Sequence, residues 1–363
     1  MARIFNFAAG PATLPAQVLA QARDELLDWQ GSGLSVLELP FTSPEFRVIQ
    51  ERAEADLRAL LAIPDDYRVL FLQGGAYAHA ALLAQNLLGG RRADYVETGH
   101  WSRRAAGEAE RYGRVDIAAS GAASGFTAIP PQEQWRLNPS AVYCHITSNE
   151  TADGVQFHWI PDTGAVPLIA DMTSDILSRP VDVRRYGLIY ASAQKNIGPA
   201  GLTLVIVRET LLAQAPAALP AVFAYGCQAA AGSRVNTPPT FAVYLTGLVL
   251  QWLHRQGGLA EMARRNRDKS RRLYAAIDAS GGFYRCPVAL ADRSWMNVRF
   301  HLPDDVLTTA FLAEAEAHGL RYLRGHGAVG GIRASLYNAM PEAGVEALIG
   351  FMADFAERHR DRI

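Results

Sequence analysis

Lysine is nearly absent from this chain: 33 arginines stand against two lysines, Lys195 and Lys269. Arginine stays protonated in a folded protein, whereas a lysine amine can lose its proton and serve as base, nucleophile or Schiff-base former. Cysteine is also scarce. Cys144, Cys227 and Cys286 form no C-x-x-C pair, which excludes a disulfide framework and suits a reduced, cytoplasmic setting. No long hydrophobic run exists: the segment from Tyr244 to Leu253 is too short for a bilayer, and the N-terminus lacks a signal-peptide core. Neither charge dominates, with 35 basic against 36 acidic residues, so nucleic acid and acidic membranes are not expected partners and the ligand should be small. Zinc spacing and a G-x-S-x-G elbow are missing too, which removes support for metal and serine hydrolase readings, and no metal is expected.

What is present suits a large globular chain. The 363 residues are 49% hydrophobic and 20% charged, enough for one large and one smaller domain. Thr13 and Pro15 signal a helix reaching about Trp29, an irregular loop covers 34–46, and an amphipathic helix follows from about Glu45 to Ala62. Short apolar strands near 68–72, 93–97, 115–118, 141–146, 167–171, 188–192 and 202–207 alternate with helical segments. That alternation predicts an α/β fold, a mostly parallel sheet covered on both faces. Residues 238–279 read as helix broken at Gly257-Gly258. An α+β unit follows: strand 295–301, helix 304–318, strand 332–336 and a final helix 341–358. The expected division is a large domain, 16–257, and a small C-terminal domain, 258–363 with 1–15 packed against it.

The chemistry-bearing motifs follow strand ends, where ligands of such sheets bind. Lys195 stands in a Gly/Pro-rich turn between two apolar strands and is the candidate reactive amine. Lys269, within the arginine-rich run 264–272, reads instead as part of a solvated helix face. Gly74-Gly75-Ala76-Tyr77, between a strand and a helix, is either a phosphate cradle or a plain turn. Asp171 ends a strand and can hold a pyridinium nitrogen protonated or simply cap a helix. Trp101 can lie on an aromatic ring or pack ordinarily, and Thr151 can bond a phenolic oxygen or a turn. Asn236 and Thr237 open a helix, as caps or as phosphate ligands. His79, His100, His145 and His326 are scattered.

Four segments resemble the phosphoserine aminotransferase family: Asn6-Phe-Ala-Ala-Gly-Pro-Ala, Tyr190-Ala-Ser-Ala-Gln-Lys195-Asn-Ile-Gly-Pro-Ala-Gly, Asn236-Thr-Pro-Pro-Thr, and Gly330-Gly-Ile-Arg333-Ala-Ser-Leu-Tyr-Asn-Ala-Met-Pro341. The resemblance implies a pyridoxal-phosphate transferase of fold type I, working as a homodimer with its sites at the interface. It implies that Lys195 attaches the cofactor and moves the proton at the substrate Cα. Asp171 would bind the pyridine nitrogen, Trp101 would stack on the ring and Thr151 would meet the phenolic oxygen. Gly75, Ala76, Tyr77, Thr173 and Gln194 would hold the phosphate, with Asn236 and Thr237 of the partner subunit. Arg333 would grip the substrate α-carboxylate, a bidentate task suited to arginine.

The sequence also departs from that pattern. Phe41 and Thr42 replace a His-Arg pair of the family's substrate loop, Tyr77 stands where many members carry arginine, and after His326 the usual basic residue is Gly327. A substrate phosphate needs charge-assisted partners, at about 1.5–3 kcal/mol each. The thinning of these partners predicts an aminotransferase that pairs L-glutamate with a non-phosphorylated amino acid, with Phe41 and Tyr77 as an apolar wall and Thr42 and His326 lining the substrate. The alternatives are a genuine phosphoserine transaminase of serine biosynthesis using other arginines, such as those near Arg324 or Arg299, and a catalytically silent cofactor-binding protein. A cysteine desulfurase lacks its loop cysteine, and a lyase stays open.

Overall fold

The computed structural model describes residues 4–213 and 219–359. Its elements, in chain order, are β1 (Phe5–Asn6), α1 (Ala16–Asp24), α2 (Pro44–Leu61), β2 (Tyr67–Gln73), α3 (Ala76–Leu87), β3 (Arg92–Glu97), α4 (His100–Ala109), β4 (Arg114–Ser120), β5 (Cys144–Thr147), β6 (Leu168–Asp171), β7 (Leu188–Ser192), β8 (Leu202–Arg208) and α5 (Glu209–Leu212). The chain continues through α6 (Tyr225–Ala230), α7 (Thr240–Arg255), α8 (Gly258–Asp278), β9 (Asn297–Phe300), α9 (Asp305–Ala317), β10 (Leu320–Arg321), β11 (Ile332–Ser335) and α10 (Glu342–Arg358). Short 3-10 turns fall between some of them.

The large sheet holds seven strands in the order β2-β8-β7-β6-β5-β3-β4. β8 runs antiparallel to both neighbours and every other pair is parallel, so six strands point one way. Their carboxyl ends meet along one edge. Alternate side chains serve opposite faces: Phe71, Ile146, Ala170 and Ile206 join the cluster under α2 and α7, while Leu70, Tyr95, Ile169 and Val205 join the one under α3 and α4. The predicted strands and parallel layering are thus present.

Local signals explain the helices. Ser43 Oγ accepts the Phe46 N–H at 3.2 Å, Pro44 takes the first turn, and Phe46, Ala53, Leu57 and Leu61 form the buried stripe of α2. The helix stops at Ala62, whose φ is 49°. α1 is shorter than the sequence predicts: it ends at Asp24, and only a 3-10 turn at Trp29–Gly31 stands where its last turns were expected. Its first-turn neighbour is Pro15, which supplies no side-chain cap.

We propose the division into residues 16–257 and a small unit of 258–363 with 1–15, of which 1–3, 214–218 and 360–363 lie outside the described residues. It is supported by a separate apolar cluster built from Phe7 with Leu273, Phe300, Phe311, Ile332, Phe351 and their neighbours. β9 pairs antiparallel with β11, and β1 pairs with β10. α8 serves both clusters, Leu259 and Met262 in the large one, Leu273 and Ile277 in the small one.

One expectation fails here. Lys269 is not on a solvated face: it is 2% exposed, and its Nζ donates to the carbonyls of Leu336, Tyr337 and Met340 at 3.0, 2.9 and 3.1 Å. The physical reason is its phase on α8, between Asn266 and Leu273 on the buried stripe, with the arginines around it pointing outward.

Candidate active site

A cavity of about 380 Å³ opens at the carboxyl ends of β2, β3, β5, β6 and β7, lined among others by Gly75, Tyr77, Trp101, Thr151, Asp171, Thr173, Gln194, Lys195, His326 and Arg333. Residues scattered over the sequence therefore converge. Lys195 follows β7 and its Nζ donates to Thr151 Oγ1 while standing 5.5 Å from the centre of the Trp101 ring. Burial lowers this amine to about 8, with Asp171 and Glu150 raising it and Arg333 lowering it further. A lysine so poised carries a useful neutral fraction at neutral pH.

Asp171 ends β6, and its Oδ1 accepts the Thr173 N–H at 2.8 Å. Burial pushes its carboxyl above the ordinary range, while Thr173 and the charge of Lys195 pull it back. Thr173 Oγ1 accepts the Ser192 N–H at 3.1 Å, and Ser192 Oγ bonds Gln194, so the phosphate candidates of β6 and β7 are tied to each other. Gly75 caps α3 without a side chain, leaving the first N–H groups of that helix facing the cavity. Gly10 packs so closely that an added Cβ would sit 3.2 Å from Lys195 Cγ, and its φ of 146° is one that favours glycine.

Two carboxylates that sequence reasoning passed over hold α4 in place. Glu150 accepts the N–H groups of Trp101 and Ser102 at 2.9 and 2.8 Å, and Asp153 accepts that of His100 at 2.8 Å. Both charges thereby face the positive end of a helix. Burial and the nearby Asp153 push the Glu150 carboxyl up to about 7, and burial raises Asp153 as well. Gly99 makes this possible: a Cβ there would stand 2.4 Å from Asp153 Oδ2 and 2.7 Å from the Glu150 carboxyl carbon. The one clue in the sequence was a carboxylate beside Thr151.

The small unit contributes Arg333 from β11 and His326 from the preceding loop. Burial lowers the Arg333 guanidinium from its usual value. His326 takes the Ala328 N–H on Nδ1 at 3.2 Å, and its ring lies 4.5 Å from that of His100 and 5.9 Å from that of Trp101. Burial, then the charge of Arg333, keeps His326 below its ordinary value. His79 and His145, by contrast, are buried and bonded to Tyr225 and Tyr190 at 2.8 and 3.1 Å.

Other expected site residues lie elsewhere within one chain. Phe41 packs against the large apolar cluster and Thr42 is exposed, neither lining the cavity. Asn236 bonds Gln73 at 3.2 Å, and the Thr237 carbonyl takes a bond from the same glutamine, again outside the cavity. Arg299 is engaged with His301 and the Val329 carbonyl at 3.0 and 3.1 Å, and Arg324 is exposed.

The residues present fit pyridoxal phosphate. Trp101 Nε1, Thr147 Oγ1 and Arg333 Nε are buried polar atoms without protein partners, all on residues of the cavity wall. Such atoms call for a polar ligand. A planar face, a buried carboxylate, an amine and a ring of N–H donors match the aromatic ring, nitrogen, aldehyde and phosphate of that cofactor. Among the described residues no group of side chains is arranged to hold a metal ion.

Comparison with known proteins agrees with this chemistry. The profile of the family described as "Aminotransferase class-V" matches residues 4–348. A phosphoserine aminotransferase of Laribacter hongkongensis (strain HLHK9) is 58% identical over 357 residues, covering 98% of this chain and 99% of that protein. The solved phosphoserine aminotransferase of Bacillus circulans subsp. alkalophilus superposes with a TM-score of 0.97 at 45% identity, over 99% of this chain and 100% of that one. A PLP-bound phosphoserine aminotransferase from Trichomonas vaginalis gives a TM-score of 0.92 at 35% identity, over 97% and 100% of the two chains.

Proposed function

The chain belongs to the class-V aminotransferases, a pyridoxal-phosphate-dependent transaminase of fold type I, and from that premise we propose that it exchanges an amino group between L-glutamate and the 2-oxo acid of phosphoserine. The observation that carries the chemistry is the Lys195 amine, lowered to about 8 by burial and standing between Asp171, Trp101 and Arg333. The substrate reading rests on relatives that match end to end and are phosphoserine aminotransferases. They favour it over the non-phosphorylated substrate expected from Phe41, Thr42, Tyr77 and Gly327, which is not carried forward.

When bound, pyridoxal phosphate supplies an electron sink for the pair left at the substrate Cα. Lys195 would attach it, then take and return the Cα proton, tasks for which a neutral amine fraction is needed. Asp171, at the end of β6, would keep the pyridine nitrogen protonated. Trp101 would cover one ring face, and Thr151 would meet the phenolic oxygen. Gly75, Ala76, Tyr77, Thr173 and Gln194 would hold the phosphate, joined by Asn236 and Thr237 of the partner subunit. Arg333 would take the substrate α-carboxylate as a fork.

A homodimer is part of this reading, because Asn236 and Thr237 lie outside their own chain's cavity. So is a cytoplasmic setting, supported by three free cysteines; no described helix is long and apolar enough to cross a membrane. Titrating the yellow enzyme with L-glutamate and L-phosphoserine while following the cofactor absorption tests the substrate. Conversion by both supports the reading, and conversion by glutamate alone overturns it. Light scattering at the mass of one chain would overturn the dimer.

A further inference from the structure

Both amino acids proposed as substrates carry a second anion, a phosphate or a γ-carboxylate, at the end away from the α-carboxylate. The cavity wall offers Lys195, Arg333 and His326 as its basic groups, and the first two already have tasks at the other end of the substrate. That leaves His326 as the one basic group of the wall for the second anion, and a guanidinium near the mouth would match it better as a fork.

Tyr77, 48% exposed, carries one. The Arg104 guanidinium carbon lies 3.9 Å from the centre of the Tyr77 ring and 5.8 Å from that of Trp101. Trp101 and Arg104 are three residues apart on α4 and so share a face. The natural neutraliser of Arg104 would be Glu108, one helical turn further on. Its carboxylate is instead engaged by the Tyr77 hydroxyl at 2.6 Å and by Arg111 at 3.4 Å. Glu108 thereby fixes the phenol ring as a platform, and no carboxylate partner of Arg104 occurs among the described residues. The same charge helps keep His100 and His326 below their ordinary values, so its field reaches across the mouth. The indole whose ring centre lies 5.5 Å from Lys195 Nζ thus has an unneutralised guanidinium 5.8 Å from the same centre, just outside the residues that line the cavity.

We propose that Arg104, presented on the Tyr77 ring, is the specificity-determining residue that grips the distal anion of the substrate. A guanidinium forks two hydrogen bonds to phosphate or carboxylate alike, and its long stem lets it follow substrates of different length. Tyr77 acts as a positioning residue in this arrangement. The inference rests on the substrate reading given above.

The test is Arg104→Gln in the full-length holoenzyme, following cofactor absorption with L-phosphoserine, L-glutamate and L-alanine, the last having no distal anion. The concentrations of phosphoserine and glutamate giving half-maximal rate should rise about tenfold to a hundredfold relative to alanine, the loss of one charge-assisted fork. Arg104→Lys should recover part of it, since a point charge replaces the fork, and Tyr77→Leu should shift the same glutamate-to-alanine ratio in the same direction. An unchanged ratio, or a loss equal for all three amino acids, overturns the proposal. If the unsubstituted enzyme converts glutamate but not phosphoserine, the substrate reading falls, and the glutamate-to-alanine ratio still decides the role of Arg104.

Discussion

The two lysines of this chain are both withdrawn from water, and burial lowers both amines, Lys195 to about 8 and Lys269 to about 7. Their surroundings differ in what is left over. Lys269 has a carbonyl for each of its three protons and joins α8 to the segment after β11. Lys195 has one hydroxyl partner and faces a cavity. A depressed amine alone therefore does not single out a lysine for reaction; the one proposed to react is depressed and incompletely bonded.

Substitutions can break this comparison. Lys195→Ala should lower turnover by about 10³-fold or more, through loss of the proton carrier, and abolish the absorption band of the attached cofactor. A band that survived would remove Lys195 from its role. Lys269→Met should leave that band in the folded protein but cost on the order of 3 kcal/mol in urea unfolding, because three buried carbonyls lose their donor. Equal stability would mean that the carbonyls find other partners.

Smaller effects sharpen it. Cofactor capture by the apo-protein needs the neutral Lys195 amine, so its rate should rise about tenfold per pH unit below about 8 and level off above. A flat profile would place the amine elsewhere on the pH scale. Unfolded Glu150 releases its proton near 4.5, whereas the folded form holds it to about 7. Across that window the unfolded chain is the less protonated, so stability falls as pH rises, on the order of 3 kcal/mol for this residue. Glu150→Gln should flatten that slope in urea melts at successive pH values. It should also move the cofactor-capture midpoint slightly down, because Glu150 is one of the charges that raise Lys195.

The sheet was legible because its strands are short runs rich in β-branched and apolar residues, as in Leu202-Thr-Leu-Val-Ile-Val, set off by glycine and proline. α2 announced itself through Ser43-Pro44 and its apolar stripe. α1 was overextended because apolar residues continue to Trp29 after the chain has left the helix. Lys269 was misplaced because the arginines flanking it conceal the stripe to which it belongs. Lys195, Asp171, Trp101, Thr151, His326 and Arg333, which line one cavity, could be singled out because each stands in a motif at or near the end of a strand. Glu150 and Asp153 were missed since their partners are backbone N–H groups about fifty residues away, and no local pattern announces such a pairing.

Gly99 leaves no room for a side chain beside the cavity, although it carries no functional group. Its hydrogen lies where any β-carbon would collide with both acids that fasten the start of α4. Even alanine there would pry the helix from Glu150 and Asp153, carrying with it the indole beside Lys195 and the guanidinium at the rim. An indole and a guanidinium one turn apart on α4 are thus placed through a single position, where the atom that cannot be exchanged is a hydrogen.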